Sequence, residues 1–432
     1  MTICAGEDAS ALDSPPRAAL TLAADGSYAA RLARHDDAAG SWYPERWTIS
    51  GPEPYAVPLA GSQPEEPDSA LLPLADGRVV IVRRVADRFT VSLLSPTGPG
   101  TQEVLVGAVA ARALSLLPPA PGGTLGYALA PGAESTALWR VHGGTGGPER
   151  VAVVPGRCTG GVWLDHEGRL LAVDREAAGR TKTVLLDLAR DAEISPLLQI
   201  TEESDDRLLL ADPDSGLLLV RSDAPGHDRL GWGVLGSSLP VRFPECLRAP
   251  DMAVTPFAIQ PGRALLPESC AVAFRLDGPA GTRLGVWRPP ERQLRQFPAP
   301  EGWLAGSGRW TPDGELLLPY TTAAVSCGVA RMAVPLGPLE PVAGTGDPRT
   351  EEAPEAAVPT GGVADAKLPE VAVPPDPGPP DGGEIVLETG DDIADSTASP
   401  QPKPLDAEPL DLPPHPRMCR PVPLQQAPLA AR

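Results

Sequence analysis

The sequence predicts an all-β chain: a seven-bladed β-propeller of four-stranded antiparallel blades, followed by a disordered C-terminal tail. Three observations predict it. Seven turn glycines, Gly26, Gly77, Gly123, Gly168, Gly216, Gly262 and Gly314, recur at separations of 45 to 52 residues, a period that signals a repeat architecture. Each stands between two apolar runs, the signature of strand, tight turn and strand. Every Trp, Phe and Tyr lies at or before Tyr320, so the chain from about Leu339 onward has none.

In chain order the hairpins read ALTLAADG then SYAARLA, ALLPLADG then RVVIVRR, LSLLPPAPGG then TLGYALA, and GVWLDHEG then RLLAVDR. RLLLADPDSG then LLLVRS, VTPFAIQPG then RALLP, and GRWTPDG then ELLLPY complete the set. Third strands are expected at RWTIS, RFTVSLLS, TALWRV, KTVLLDL, RLGWGVL, RLGVWR and GVARMAV, and fourth strands at YAVPL, QEVLVG, ERVAVV, PLLQI, LPVRF, QLRQF and LEPVA. One such unit is apolar on both faces and cannot hide them by itself, whereas radial stacking buries both against neighbouring units. First strands such as LLPLA and VTPFAI then line a central channel, and fourth strands form the rim. The best helix candidate, residues 109–116, is too short and is flanked by prolines.

GRWTPDGELLLPY and GVWLDHEGRLLAVDR resemble the first hairpins of WD40-like propeller repeats, of the kind with a W-S-P-D-G core found in TolB-type propellers. Trp310, Thr311, Pro312, Asp313 and Gly314 carry the match, with Thr in place of Ser. The fourth unit keeps Trp163, Asp165 and Gly168, and Asp174-Arg175 followed by KTVLLDL is similar to that family's second and third strands. The Trp-Asp dipeptide of eukaryotic WD40 repeats is missing. The resemblance implies the fold and carries no site residue with it.

These boundaries divide the chain into an N-terminal extension (1–17), the propeller (18–345) and the tail (346–432). From Leu339 to the end, 17 acids face 6 bases, a net of −11 out of −20 for the whole chain. A proline-rich, aromatic-free segment of that charge cannot bury enough apolar surface to offset the entropy of ordering it. Two patches depart from this background: Glu384-Ile385-Val386-Leu387, and residues 412–423 (LPPHPRMCRPVP, around Met418). Each reads as linker variation or as a peptide for a partner to dock. Ring closure has two solutions: side-chain packing between blades one and seven, or an added edge strand from Met1 to Cys4 or from Glu384 to Leu387.

Composition excludes several classes. With 56 acids against 36 bases, nucleic acid is not an expected partner, because phosphate would be repelled. No window offers the roughly 18 consecutive apolar residues of a membrane helix. The start, MTICAGEDASALDSPPR, lacks the basic head and apolar stretch of a secretory leader, so a cytoplasmic location is expected. Cys4, Cys158, Cys246, Cys270, Cys327 and Cys419 are scattered without framework spacing and read as reduced apolar filler. The absence of Asn and the presence of only Lys182, Lys367 and Lys403 look like codon bias, which weakens functional readings of single arginines.

Five sequence features bear on chemistry. Gly231 to Gly236 (GWGVLG) matches G-x-G-x-x-G, but it falls on a third strand with no helix after it, so no phosphate-binding helix start follows. His166-Glu167 begins like a zincin motif without the second His, and His35, His142, His166, His227 and His415 each lie in a different segment, against a multi-histidine zinc site. Asp165, Asp212, Asp214 and Asp313 stand at or near equivalent inner turns; they read as a cation site or as turn closers bonding their own backbone, and the second is the usual role. His142 to Gly147 (HGGTGG) resembles an oxyanion loop, but no G-x-S-x-G elbow exists to supply a nucleophile. The eight tryptophans fall on or beside strands and are expected between blades.

No catalytic, cofactor-binding or metal-ligating residue and no cofactor is therefore assigned. The expected function is a non-catalytic protein–protein interaction scaffold with a flexible acidic tail and a basic protein partner. The alternative is a propeller enzyme, lyase-like or lactonase-like, with a divalent cation at the channel mouth, on fold analogy.

Overall fold

The computed structural model describes residues 20–335, apart from 36–39, 62, 99, 250 and 263–264. Seven antiparallel sheets follow one another along the chain, and within each the strands pair in chain order. Blade one comprises Thr21–Leu22, Tyr28–Arg34, Trp42–Thr48 and Tyr55–Pro58; blade two Ala70–Pro73, Val79–Val85, Arg88–Thr97 and Gly100–Ala110. Blade three is Ser115–Leu116, Gly126–Pro131, Ser135–His142 and Glu149–Pro155; blade four Arg157–Trp163, Leu170–Ala177, Arg180–Asp187 and Glu193–Leu198. Blade five has Asp206–Ala211, Leu217–Ser222 and Arg229–Val234; blade six Ala253–Ile259, Val272–Gly278, Gly281–Trp287 and Arg295–Pro298; blade seven Arg309–Trp310, Glu315–Tyr320 and Gly328–Ala333. Inner strands of successive blades pack on one another, as Arg157–Trp163 does on Asp206–Ala211 and that strand on Ala253–Ile259. The fold is the seven-bladed propeller that the repeat predicts.

The second strands explain why the blades stack. Val79, Val80, Ile81 and Val82 form an unbroken buried run, as befits a strand covered on both faces. Side chains alternate across a strand, so the run divides between two neighbours. Val79 and Ile81 pack with Ala30 and Leu59 of blade one, while Val80 and Val82 pack with Ala128 and Val141 of blade three. Leu217 and Leu219 likewise join blade six, and Leu218 and Val220 join blade four. Each such side chain stabilises the ring by about 1.5–3 kcal/mol relative to exposure. Trp47 and Trp287 are fully buried and Trp163, Trp232, Trp303 and Trp310 nearly so.

Inner turns follow the glycine rule at Gly168 and Gly314, whose φ of 68° and 85° is a left-handed conformation that a Cβ disfavours. Gly262 departs from it. It is not a turn glycine with positive φ; its N–H donates to Asp212 Oδ2 of blade five at 3.0 Å, and a Cβ there would lie 2.3 Å from that of Ser215. The chain leans on blade five, makes a 3-10 turn at Pro267–Ser269, and returns as Val272–Gly278, so the second strand of blade six is VAFRLDG and not RALLP. In blade five the expected LPVRF strand shrinks to one bridge, Trp232 to Arg242, with both N–H···O bonds at 2.9 Å. Pro240 and Pro244 flank it and offer no donor to extend the ladder. Residues 109–116 form no helix: they divide between the outer strand of blade two and the inner strand of blade three. LEPVA and both tail patches lie outside the described residues.

Ring closure uses side chains. Leu20 N–H donates to Ser307 Oγ at 3.1 Å, and the Ser307 hydroxyl donates to the Leu20 carbonyl at 2.7 Å. The serine thus satisfies both backbone groups of one residue, as a partner strand would. Leu20, Ala29 and Trp47 of blade one pack beside it with Leu304 and Cys327. Blade-to-blade packing is the first of the two expected solutions; the added-strand alternatives fall outside the described residues. Ser307→Ala leaves two buried backbone groups unpaired and is expected to cost about 1–3 kcal/mol, measured as a lower urea midpoint at unchanged m value.

Candidate functional site

The inner strands of blades four, five and six share an irregularity. Their pairing register shifts between Thr159 and Val162, between Leu208 and Leu210, and between Pro256 and Ala258. Each shift inserts extra residues that twist the strand and re-aim its side chains. Beside the first two bulges the channel widens into a cavity of about 480 Å³. Gly161, Val162 and Trp163 of blade four and Leu209, Leu210 and Ala211 of blade five line one side. Pro118, Pro119 and Pro121 of blade three line another, and Ala24 and Asp25 approach from blade one. Pro118 is exposed while Trp163 is buried, its indole N–H donating to the Pro118 carbonyl at 3.2 Å. The site is an apolar well at the mouth where the inner turns converge.

Charge gathers on its rim. His166 Nε2 lies 2.9 Å from Asp214 Oδ1, joining the inner turns of blades four and five. Arg169 approaches Asp165 and Glu167 at 3.5 and 3.3 Å. Asp165 Oδ1 accepts the N–H groups of Arg169 and Leu170, and Asp212 Oδ2 accepts those of Ser215 and Gly262. These two aspartates close turns, and Asp212 also ties blade five to blade six. Asp313 is exposed beside Gly314. Among the described residues, no three His, Cys, Asp or Glu side chains come together as a metal-holding group. The four aspartates are thus spread over three turns, with Asp212 and Asp214 together on that of blade five.

The other motifs take the structural roles expected of them. Gly231 and Gly233 are buried in the third strand of blade five, and a Cβ on Gly231 would meet the Arg242 carbonyl at 2.9 Å. Residues 143–148 link the third and outer strands of blade three. Cys158, Cys270 and Cys327 are buried free thiols, and Cys246 is partly buried. Burial pushes the Cys158 thiol up to about 11, and burial together with the Glu45 charge pushes Cys327 up to about 12.

Between blades four and five lies a buried polar network that the sequence did not announce. Lys182 Nζ donates to Asp206 Oδ2 at 2.8 Å and to the Thr201 carbonyl at 2.6 Å. Asp206, 0% exposed, also accepts from the Ser222 hydroxyl at 2.6 Å and from Ile200 N–H at 2.9 Å. Asp174 Oδ1 accepts from the Thr183 hydroxyl at 2.7 Å and from Leu208 N–H, across the blade boundary, at 3.0 Å. A buried ion pair is tolerable because its remaining lone pairs and protons are used. The rarity of lysine was the available signal, since Lys182 is the one lysine before the tail. The blade-four bulge is signalled by Gly160-Gly161 within a strand pattern; the bulges at Leu209 and Phe257 and the proline wall of the cavity have no signal beyond composition.

No family model matches the chain, and no curated protein matches it. Among solved structures the chain is similar to TolB from Acinetobacter baumannii, at 12% identity and a TM-score of 0.39 over 71% of this chain and 80% of that one. It is also similar to the β-propeller domain of the Trilobed protease from Pyrococcus furiosus, described as having an open velcro topology (12%, 0.44, 70% and 91%). A third is a puromycin-hydrolyzing peptidase from Mycobacterium tuberculosis (15%, 0.47), of which the chain spans about half, 52% of its length against 74% of its own. The structures that the ring resembles thus include TolB proteins, the kind whose repeat the Trp310 to Gly314 hairpin resembles. No helix among the described residues is long and apolar enough to cross a membrane.

Two outcomes follow from the titrating groups. Burial raises the Asp174 carboxyl to about 6, outweighing the hydrogen bonds from Thr183 and Leu208 that lower it. The folded state therefore holds this proton where the unfolded chain has lost it, and stability from this group falls as pH rises from about 4 to about 6. Asn at this position keeps an acceptor for both donors, so Asp174→Asn is expected to be more stable than the parent at pH 7.5, by at most about 3 kcal/mol. The difference closes near pH 4 in denaturant titrations. At pH 8 a charged thiol reagent is expected to spare Cys158, Cys270 and Cys327 in the native chain and to label them once denaturant is added, as read by peptide mass spectrometry.

Proposed function

We propose that this protein is a non-catalytic interaction scaffold whose channel mouth receives a protein partner. The observation that carries this reading is the apolar, solvent-open cavity of about 480 Å³ on a ring fastened from blade to blade. Such a surface is preorganised, so binding costs little ordering entropy. The rim acids favour a basic partner, with association that weakens as salt rises. Free, buried thiols suit a reducing compartment, which supports the cytoplasm as the location. The test is affinity capture with the full chain and with a chain ending at residue 345, each at low and high salt. A specific partner, retained by the ring and lost with salt, is the expected result; none with either chain overturns the reading.

The second reading, a lyase-like or lactonase-like propeller enzyme with a divalent cation, is favoured by the His166–Asp214 pair at the cavity rim. Against it, Asp165 and Asp212 direct carboxylate oxygens at backbone N–H groups. Metal analysis of the purified chain together with lactone and ester assays separates the two: bound metal with turnover supports the enzyme.

A further inference from the structure

We infer that the channel-mouth cavity takes a short peptide segment in which a cationic side chain adjoins proline or aliphatic residues. This rests on the mouth being the interaction face and specifies the chemistry of what enters it. The cavity's volume lies within the range of sites that enclose a ligand of modest size. Its walls offer apolar surface that the ring does not cover: Pro118 is exposed, and Leu209 and Leu210 are half-buried. An apolar body is therefore the complement of the well.

The rim sets the sign of charge. Asp25 and Glu167 are exposed, and Asp214 is 22% exposed in its side chain. Arg169 serves Asp165 and Glu167 together. Arg309 points its guanidinium at the Asp25 carbonyl oxygen, while Asp25 Oδ1 accepts the Ser27 N–H. Of these groups, the carboxylates of Asp25, Asp165, Glu167 and Asp214 stand against the guanidinium groups of Arg169 and Arg309 and the imidazole of His166, which bonds Asp214, a balance that disfavours an anion. A guanidinium or ammonium gains charge-assisted hydrogen bonds there. The acids stand on blades one, four and five around the well, so cation and apolar body must sit at different points along one ligand. An extended peptide does this, and proline lowers the entropy it loses.

The experiment is fluorescence anisotropy of a labelled synthetic peptide, arginine-proline-leucine-proline-arginine, titrated with the full chain. Saturable binding is expected, weakening about fivefold or more between about 50 and about 300 mM salt. Leu209→Asp, which places a charge in the well, is expected to weaken it about tenfold or more, a loss of about 1.4 kcal/mol. Because that change also touches the ring, Asp25→Asn and Asp214→Asn give a second arm: each lowers affinity severalfold and flattens the salt dependence. A peptide with glutamate in place of arginine is expected not to bind. The inference is overturned if the arginine peptide does not bind, if the rim variants leave its affinity unchanged, or if hexylamine binds as tightly as the peptide. A partner captured by the ring that this peptide does not displace also overturns it, and leaves the scaffold reading standing.

Discussion

The ring depends on one constraint: the second strand of each blade is apolar on both faces, and no single sheet can cover both. Val79 to Val82 show it most plainly, with alternate side chains claimed by blades one and three. A strand of this kind is stable only between two neighbours, which makes each blade the condition for the next. Closure follows from the same need, since an open ring would leave two such faces in water. The Ser307 hydroxyl, bonded to both backbone groups of Leu20, completes at the seam what side-chain packing does elsewhere.

Regularity supplies the scaffold and its interruptions supply the site. Where the inner strands keep register, side chains fill the spaces between blades. At Gly160-Gly161 and at Leu209 register slips, and the channel gains a well whose proline wall comes from blade three. The same quarter of the ring holds the Lys182–Asp206 network and the cross-blade reach of Asp212 to Gly262. Polar contacts there join blade four to blade five and blade five to blade six.

Much of the fold was legible because periodicity is a global signal. Turn glycines and apolar runs locate six of the seven hairpins, and context alone marks the motif-like sequences at Gly231 and His142 as strand and loop. Gly262 misled because a glycine is also chosen for close approach, here to Asp212 and Ser215, and spacing does not separate that use from a positive φ. LPVRF misled because local apolarity does not report whether the flanking prolines leave enough donors for a ladder. The candidate site was scarcely legible: a cavity is a property of what several distant segments fail to fill, and Pro118, Leu209 and Asp25 acquire a common role only after the ring brings them together.

Every described blade is one unbroken stretch of chain, and blades one and seven meet through side chains with no exchanged strand among the described residues. Among the described residues, the connections between blades are therefore topologically like the seam. Moving the chain's ends to another inter-blade link, with a new peptide bridging blades seven and one, would leave the described strands of all seven sheets paired as they are. In this architecture the order in which the blades are written is separable from the order in which they stand, so a blade gained or lost alters the circumference without rewriting any sheet.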